Sequence, residues 1–246
     1  MSPAELMVVI LCGGRGTRLQ ERTQSIPKPL VEIGGRPIVA HVIDIYAAQG
    51  FRRFLLCTGY KGELVERFAR AEPWPAGVEV TCRDTGLDTP TGGRTLAGAL
   101  AVGEEPFCLT YADGVADIDL SALLTAHRSH GGLATMTVVR PELQFGVAEL
   151  DDADPAHPRV RGFREKPRAE QWVNGGFFVF EAGVRDYLAE DSVLEREPLE
   201  RLAAAGELHA YRHEGFWDCM DTYKDAVLLN DLWEQGLAPW KARTPA

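Results

Sequence analysis

The chain has 246 residues, 45% of them hydrophobic and 25% charged, with a formal net charge of −10. That acidity excludes a general polyanion binder, because nucleic-acid affinity rests on accumulated Lys and Arg; phosphate chemistry here must be local, with a few cations focused in one cleft. No apolar run approaches membrane-spanning length, the opening segment lacks the basic start of a signal peptide, and five cysteines without C-x-x-C spacing read as buried reduced thiols, so a cytoplasmic protein with no nucleic-acid or membrane partner is expected.

Met7–Cys12 is a continuous apolar run, the pattern of a strand buried on both faces. A glycine-rich turn follows, then "RPIVAHVIDIYAAQG", where Pro37 near the start and Gly50 at the end bracket a helix. Arg53–Gly59 reads as the next strand, "GELVERFARA" as a helix, "GVEVTCRDTG" as a strand that turns, and "GGRTLAGALAVG" as a helix opened by glycines. "PFCLTYADG" is a strand ending in a turn, "LSALLTAHRSHGG" a helix and "LATMTVVR" a strand. His127 and His130, three apart on that helix, are expected on a solvated face. The alternation predicts an α/β fold, a three-layer, doubly wound, mostly parallel sheet with loops gathered at the strands' C-terminal ends. After Phe145 the rhythm changes to two strands around an acidic loop, then "WVNGGFFVF" as another strand, with a mostly helical remainder and a short strand near "ELHAYRH". The length fits one domain over 1–246.

The turn "GGRGTR" is not a dinucleotide fingerprint, since Leu19 stands where the third glycine belongs, and it is not a Walker A loop, since no lysine in the chain follows a glycine. What remains is a glycine nest offering backbone N–H groups to phosphate, with Arg15 and Arg18 beside it. Downstream, Pro27 and Pro29 restrict the backbone around Lys28 and are expected to hold it in an extended segment. A lysine held that way serves as a compact point charge for phosphate. Only 5 of the 26 basic residues are lysine, and Lys28, Lys61 and Lys166 all sit beside prolines or glycines, which argues against ordinary loop lysines.

The combination "GGRGTR…PKPLVEIGGRPI" resembles the N-terminal signature of sugar-1-phosphate nucleotidyltransferases. "GYKGE", "TPTGGR", "LTYADGVADIDL", "FREKP", "NGGFFVF" and "GFWDCMDT" follow in family order, and among these enzymes are most similar to the glucose-1-phosphate cytidylyltransferases. The resemblance implies a Rossmann-like nucleotidyltransferase fold, with a nucleotide-binding half over approximately 1–140. The rest, 141–246, would be a small β-rich sugar-phosphate-binding part and C-terminal helices. The implied reaction is attack by a sugar 1-phosphate on the α-phosphorus of a nucleoside triphosphate, CTP and glucose 1-phosphate being the favoured pair, with release of pyrophosphate. The attacking oxygen is already anionic near neutral pH, so the chemistry needs cations and positioning rather than a general base.

The same resemblance assigns roles. Leu11, Cys12, Gly13, Gly14, Arg15, Gly16 and Thr17 would wrap the nucleotide, with Arg18 and Lys28 on its phosphates. Thr89, Gly92, Gly93 and Arg94 would lie near the base or ribose, and Ala112, where the family commonly has glycine, beside the ribose or phosphate. Lys166 would hold the sugar phosphate, and Glu165, Asn174 and Gly175 would face the sugar hydroxyls. Asp113 and Asp221, far apart in sequence, would converge on Mg²⁺, an ion that takes few carboxylates and fills its octahedron with phosphate oxygens and water. The segment between "GYKGE" and "TPTGGR" is shorter than the insertion through which cytidylyltransferases reach neighbouring subunits, so a homo-oligomer is left open.

Two other classes match parts of the sequence. A metal-dependent glycosyltransferase could use the "DID" at Asp117–Asp119, but would leave "GGRGTR" and "PKP" without a role. A non-catalytic nucleotide-sugar sensor should have lost a charged group, yet Arg18, Lys28, Asp113, Lys166 and Asp221 are all present. Within the transferase reading, another nucleotide or another hexose or cyclitol phosphate stays open.

Overall fold

The computed structural model describes residues 2–16, 26–151 and 153–241. Strand β1 (Met7–Cys12) leads through a short hairpin, β2 (Glu32–Ile33) and β3 (Arg36–Pro37), to helix α1 (Ile38–Ala47), β4 (Arg53–Thr58), α2 (Gly62–Ala71), β5 (Glu79–Asp84) and α3 (Thr91–Val102). Then come β6 (Phe107–Tyr111), β7 (Gly114–Ala116), α4 (Leu120–His130), β8 (Ala134–Val139), a ribbon of β9 (Val147–Asp151) and β10 (Arg159–Arg164), and β11 (Val173–Phe180). The chain closes with α5 (Glu197–Ala204), β12 (Leu208–Arg212), β13 (Trp217–Cys219) and α6 (Tyr223–Glu234). No helix among the described residues is long and apolar enough to cross a membrane.

Seven strands form one sheet in the order β12-β8-β11-β6-β1-β4-β5. β1 is parallel to β4 and β6, β4 to β5, and β8 to β12, while β11 runs antiparallel to both β6 and β8. The mostly parallel α/β sheet is therefore borne out. The chain builds outward from β1 to β5, then returns to place β6 on the other side of β1. Their junction is the switch point at whose carboxyl edge open α/β sheets bind ligands.

Burial on both faces explains the unbroken apolar runs. Val8, Ile10 and Leu56 pack under α1, and Val9, Leu11, Leu55 and Leu109 under α3 and α5. α1 is buried all round except at Asp44, whose carboxylate pairs with Arg36, so it lies inside rather than on the surface. α4 is capped by Asp119, which accepts from the Ala122 N–H at 2.8 Å.

His127 and His130 correct the sequence reading. His127 is 4% exposed, because α4 packs that face onto β8 rather than presenting it to water. Its Nδ1 meets the Thr135 hydroxyl at 2.7 Å, His130 Nε2 meets the same hydroxyl at 2.6 Å, and the His130 ring stacks on His209 at 3.8 Å. Burial pulls both pKa values below the ordinary 6.5, opposed at His127 by Glu181 and reinforced at His130 by His209 and His127. A depressed histidine pKa means that the unfolded chain protonates first as pH falls, so stability is lost as the pH drops below about 6.5. The Tm advantage of the parent over a His130→Asn variant should therefore shrink by a few degrees between pH 7.5 and 5.5 in thermal melts; a constant difference would refute the cluster's role.

Candidate active site

β7 and β13 form a short antiparallel ladder with Gly114 opposite Cys219 and Ala116 opposite Trp217. Asp113 and Asp221 lie just off the same end of that ladder, and the Met220 N–H donates to the Asp113 carbonyl at 3.0 Å. Two residues 108 positions apart are thereby neighbours. Asp221 is steadied by the start of α6, where its N–H donates to the Asp225 carboxylate at 3.1 Å and Thr222 makes a capping box with Asp225.

Lys28 reaches both carboxylates. Its ammonium pairs with Asp113 and, at 2.6 Å, with Asp221, and its side chain is only 15% exposed. Burial pulls the Lys28 pKa down, but the two carboxylates outweigh it and the pKa ends raised, so the group is charged at working pH. The local backbone differs from expectation. Lys28 opens a 3-10 turn, Lys28–Leu30, rather than sitting in an extended segment. Bonds from Leu30 N–H to the Pro27 carbonyl and from Val31 N–H to the Lys28 carbonyl close the turn, and Pro29 falls where no N–H is needed.

These groups line a cavity of about 740 Å³ at the carboxyl edge of β1 and β6. Leu11, Cys12, Gly13, Gly14, Gly16, Thr89, Arg94, Ala112, Asn174 and Gly175 line it too, so most of the sequence-selected residues share one space. Thr17 and Arg18 lie outside the described residues. Arg15 turns away, exposed, to pair with Asp88 at 2.8 Å. Gly92 and Gly93 do not line the cavity, because they pack against the backbone carbonyls of Ser192 and Glu190. Lys166 and Glu165, on the exposed turn after β10, do not line it either.

Lys166 instead borders an adjoining cavity of about 490 Å³, which shares Trp217 with the first. Its φ of 44° is left-handed although a proline follows, a conformation that surrounding structure must enforce. Asp218 lines that second cavity, and its carboxylate accepts the Cys219 N–H at 2.8 Å. Burial, with Asp225 and Glu142 nearby, pushes the Asp218 pKa up to about 6 against a backbone bond that lowers it. Folding thus penalises the ionised form, and the penalty is present above pH 6 and vanishes as the pH falls towards the unfolded value. Asp218→Asn should raise the Tm by a few degrees at pH 7.5 and by nothing measurable at pH 4; an unchanged Tm at pH 7.5 would show that the carboxylate is not strained.

Several wall residues were not selected from sequence. Tyr111, Trp217, Cys219 and Glu195 line the first cavity. Trp217 donates to the Gly175 carbonyl at 2.7 Å, and Glu195 accepts from the Tyr111 hydroxyl and, at 2.6 Å, from Thr91. Strand alternation around "GFWDCMDT" could have placed Trp217 and Cys219, whereas Glu195 sits in a connection that carries no local signal. Burial, then Asp221 and Asp113, push the Cys219 thiol pKa up, which keeps it protonated and unsuited to nucleophilic work.

The described residues contain no cluster of three or more His, Cys, Asp or Glu able to hold a metal by themselves. Two carboxylates already meeting on one cation are a donor set for an ion that draws its remaining ligands from substrate and water.

Comparison with known proteins gives the family and agrees with the fold. Residues 7–222 match the family model described as nucleotidyl transferase. The chain is 40% identical to a probable glucose-1-phosphate cytidylyltransferase of Bacillus subtilis and 41% identical to the glucose-1-phosphate cytidylyltransferase of Salmonella typhi, each over 96% of this chain and 99% of the relative. Among solved structures, HddC from Yersinia pseudotuberculosis complexed with GMP-PN shares the fold with a TM-score of 0.72 at 20% identity, over 93% of this chain and 99% of that one. The inositol-1-phosphate CTP transferase from T. maritima does so with a TM-score of 0.70 at 19% identity, over 100% of both chains. The chain belongs to the nucleotidyl transferase family, as the motifs of its sequence implied.

Proposed function

We propose that the protein transfers the cytidylyl group of CTP to glucose 1-phosphate and releases pyrophosphate. The observation that carries this reading is the meeting of Lys28, Asp113 and Asp221 beside a glycine turn in one cavity. Identity of 40–41% to cytidylyltransferases over nearly the whole chain supports the choice of nucleotide and sugar.

The residues suit the chemistry. Lys28 keeps two like charges together and is itself a phosphate partner, so binding of a triphosphate lets it exchange carboxylate oxygens for phosphate oxygens. Asp113 and Asp221 would then hold Mg²⁺, which neutralises phosphate charge and favours in-line attack. Asn174 and Gly175, in the wall of the first cavity, suit the acceptor's hydroxyls, and Lys166, on the cavity that shares Trp217 with it, suits the acceptor's phosphate. The water-accessible space of the two adjoining cavities is ample for both substrates.

The test is pyrophosphate release from Mg²⁺, glucose 1-phosphate and each of CTP, dTTP, UTP, ATP and GTP. CTP should give a kcat/KM at least about tenfold above the others, the discrimination one set of base-edge hydrogen bonds supplies. A faster reaction with another nucleotide would overturn the choice of CTP, and no pyrophosphate with any pair would overturn the transferase reading.

A further inference from the structure

We infer that Arg94 is a positioning residue that turns the Gly13–Gly14 peptide so that the Gly14 N–H faces the cavity and receives a phosphate of the nucleoside triphosphate. This rests on the transferase reading for its ligand, and adds a role different from direct contact with base or ribose.

Arg94 starts on α3 and is 4% exposed. Its guanidinium lies beneath the loops that follow β1, β4 and β5. Nη1 donates to the Thr58 carbonyl at 2.7 Å and to the Thr85 hydroxyl at 2.5 Å. Nη2 donates to the Gly13 carbonyl at 3.1 Å and to the Leu87 carbonyl at 3.3 Å. All four acceptors are uncharged, and through them the group ties three strand ends together, with the Asp84 and Asp88 carboxylates acting on its charge from farther off. Burial lowers its pKa, but a guanidinium remains protonated.

Two glycines exist for this strut. A Cβ on Gly13 or on Gly59 would overlap the guanidinium, and neither residue has a positive φ that would otherwise require glycine. The consequence for the ligand follows from peptide geometry. In a trans peptide the C=O and N–H point in opposite directions. The Gly13 carbonyl is drawn inward by Arg94 and, at 3.3 Å, by the Tyr60 N–H, which sends the Gly14 N–H outward at a residue that lines the cavity; Arg94 supplies the charged one of the two bonds. Among the described residues a Cβ on Gly14 would meet nothing within 4 Å, which leaves room for a phosphate beside that N–H.

The experiment compares the full-length protein with Arg94→Ala and Thr85→Val, measuring CTP binding by calorimetry, KM for each substrate and Tm. Arg94→Ala should weaken CTP binding at least about tenfold, since a charge-assisted bond is lost from the peptide it orients, and leave the glucose 1-phosphate KM within about twofold. Millimolar guanidinium should restore CTP affinity to Arg94→Ala, because the vacated space fits it. Wild-type CTP affinity in Arg94→Ala, an equal rise in both KM values, or guanidinium that restores Tm without restoring affinity would each overturn the inference. If Arg94→Ala does not fold, Thr85→Val decides: it removes one acceptor and should weaken CTP binding about two- to threefold, and unchanged affinity would overturn the role. CTP binding by the parent without pyrophosphate release would refute the transferase reading alone and leave this one standing.

Discussion

Asp221→Asn should lower kcat for pyrophosphate release about 10²–10³-fold, the scale of losing one transition-state charge stabiliser, while the protein stays folded. The fold survives because asparagine has nearly the same shape and the capping box of Thr222 and Asp225 is untouched. Lys28 also retains Asp113 as an ion-pair partner. The loss should fall on kcat more than on the KM for sugar phosphate, because the carboxylate's proposed work is to fix charge at the reacting phosphorus. It should also raise the Mg²⁺ concentration giving half-maximal rate. Kinetics at saturating substrate, with Mg²⁺ varied, check both points. Near-parental turnover, or an unchanged Mg²⁺ dependence, would remove Asp221 from the reacting centre.

Lys28→Ala has a comparable effect on rate for a different reason, and a signature in stability that Asp221→Asn lacks. Lys28 is the cation between two partly buried carboxylates. Deleting it takes from both carboxylates the cation that they share, and removing one partner from a partly buried set of charges is destabilising. Turnover should fall about 10²–10³-fold through the missing phosphate contact. The Tm should fall as well, and Mg²⁺ should restore much of it, since an ion that binds only the folded state stabilises that state by mass action. The Mg²⁺-induced rise in Tm is thus expected to be larger by several degrees in Lys28→Ala than in the parent. Thermal melts with and without Mg²⁺ read this without any turnover, so the site is tested separately from the reaction. Equal Mg²⁺ shifts in the two proteins would show that the ammonium and the ion do not share a place.

These two variants also separate the roles of the charges. Asp221→Asn weakens the ion's place and leaves Lys28 paired with Asp113. Lys28→Ala keeps both carboxylates and removes the charge that holds them together. A metal-binding defect in the first and a metal-rescued stability defect in the second form a pair that a general loss of folding does not produce.

The elements of the sheet were legible because their signals are local. Met7–Cys12 and Arg53–Thr58 are apolar without alternation, as burial on two faces demands, and the helices Gly62–Ala71 and Thr91–Val102 are bracketed by loop residues. The glycine turn and Lys28 were legible for the same reason, since glycine clustering and flanking prolines act within a few residues. His127 was not, because helical spacing gives a face without saying which neighbour covers it. The antiparallel course of β11 between β6 and β8 is equally silent in "VNGGFFVF", whose residues suit either direction.

What the sequence by itself determined is therefore the chemistry available: a glycine nest, few but well-placed lysines, two carboxylates and reduced thiols, carried on an α/β sheet. Only the tertiary structure decided the arrangement. The β7–β13 ladder brought Asp113 to Asp221, the switch between β1 and β6 opened a cavity there, and Arg94 came to lie buried in its wall, bonded to the Gly13, Thr58 and Leu87 carbonyls. The physical reason is range. Backbone preference and burial periodicity are written over a few residues, whereas charges meet through strand pairings whose partners lie a hundred positions away, and no local pattern encodes that distance.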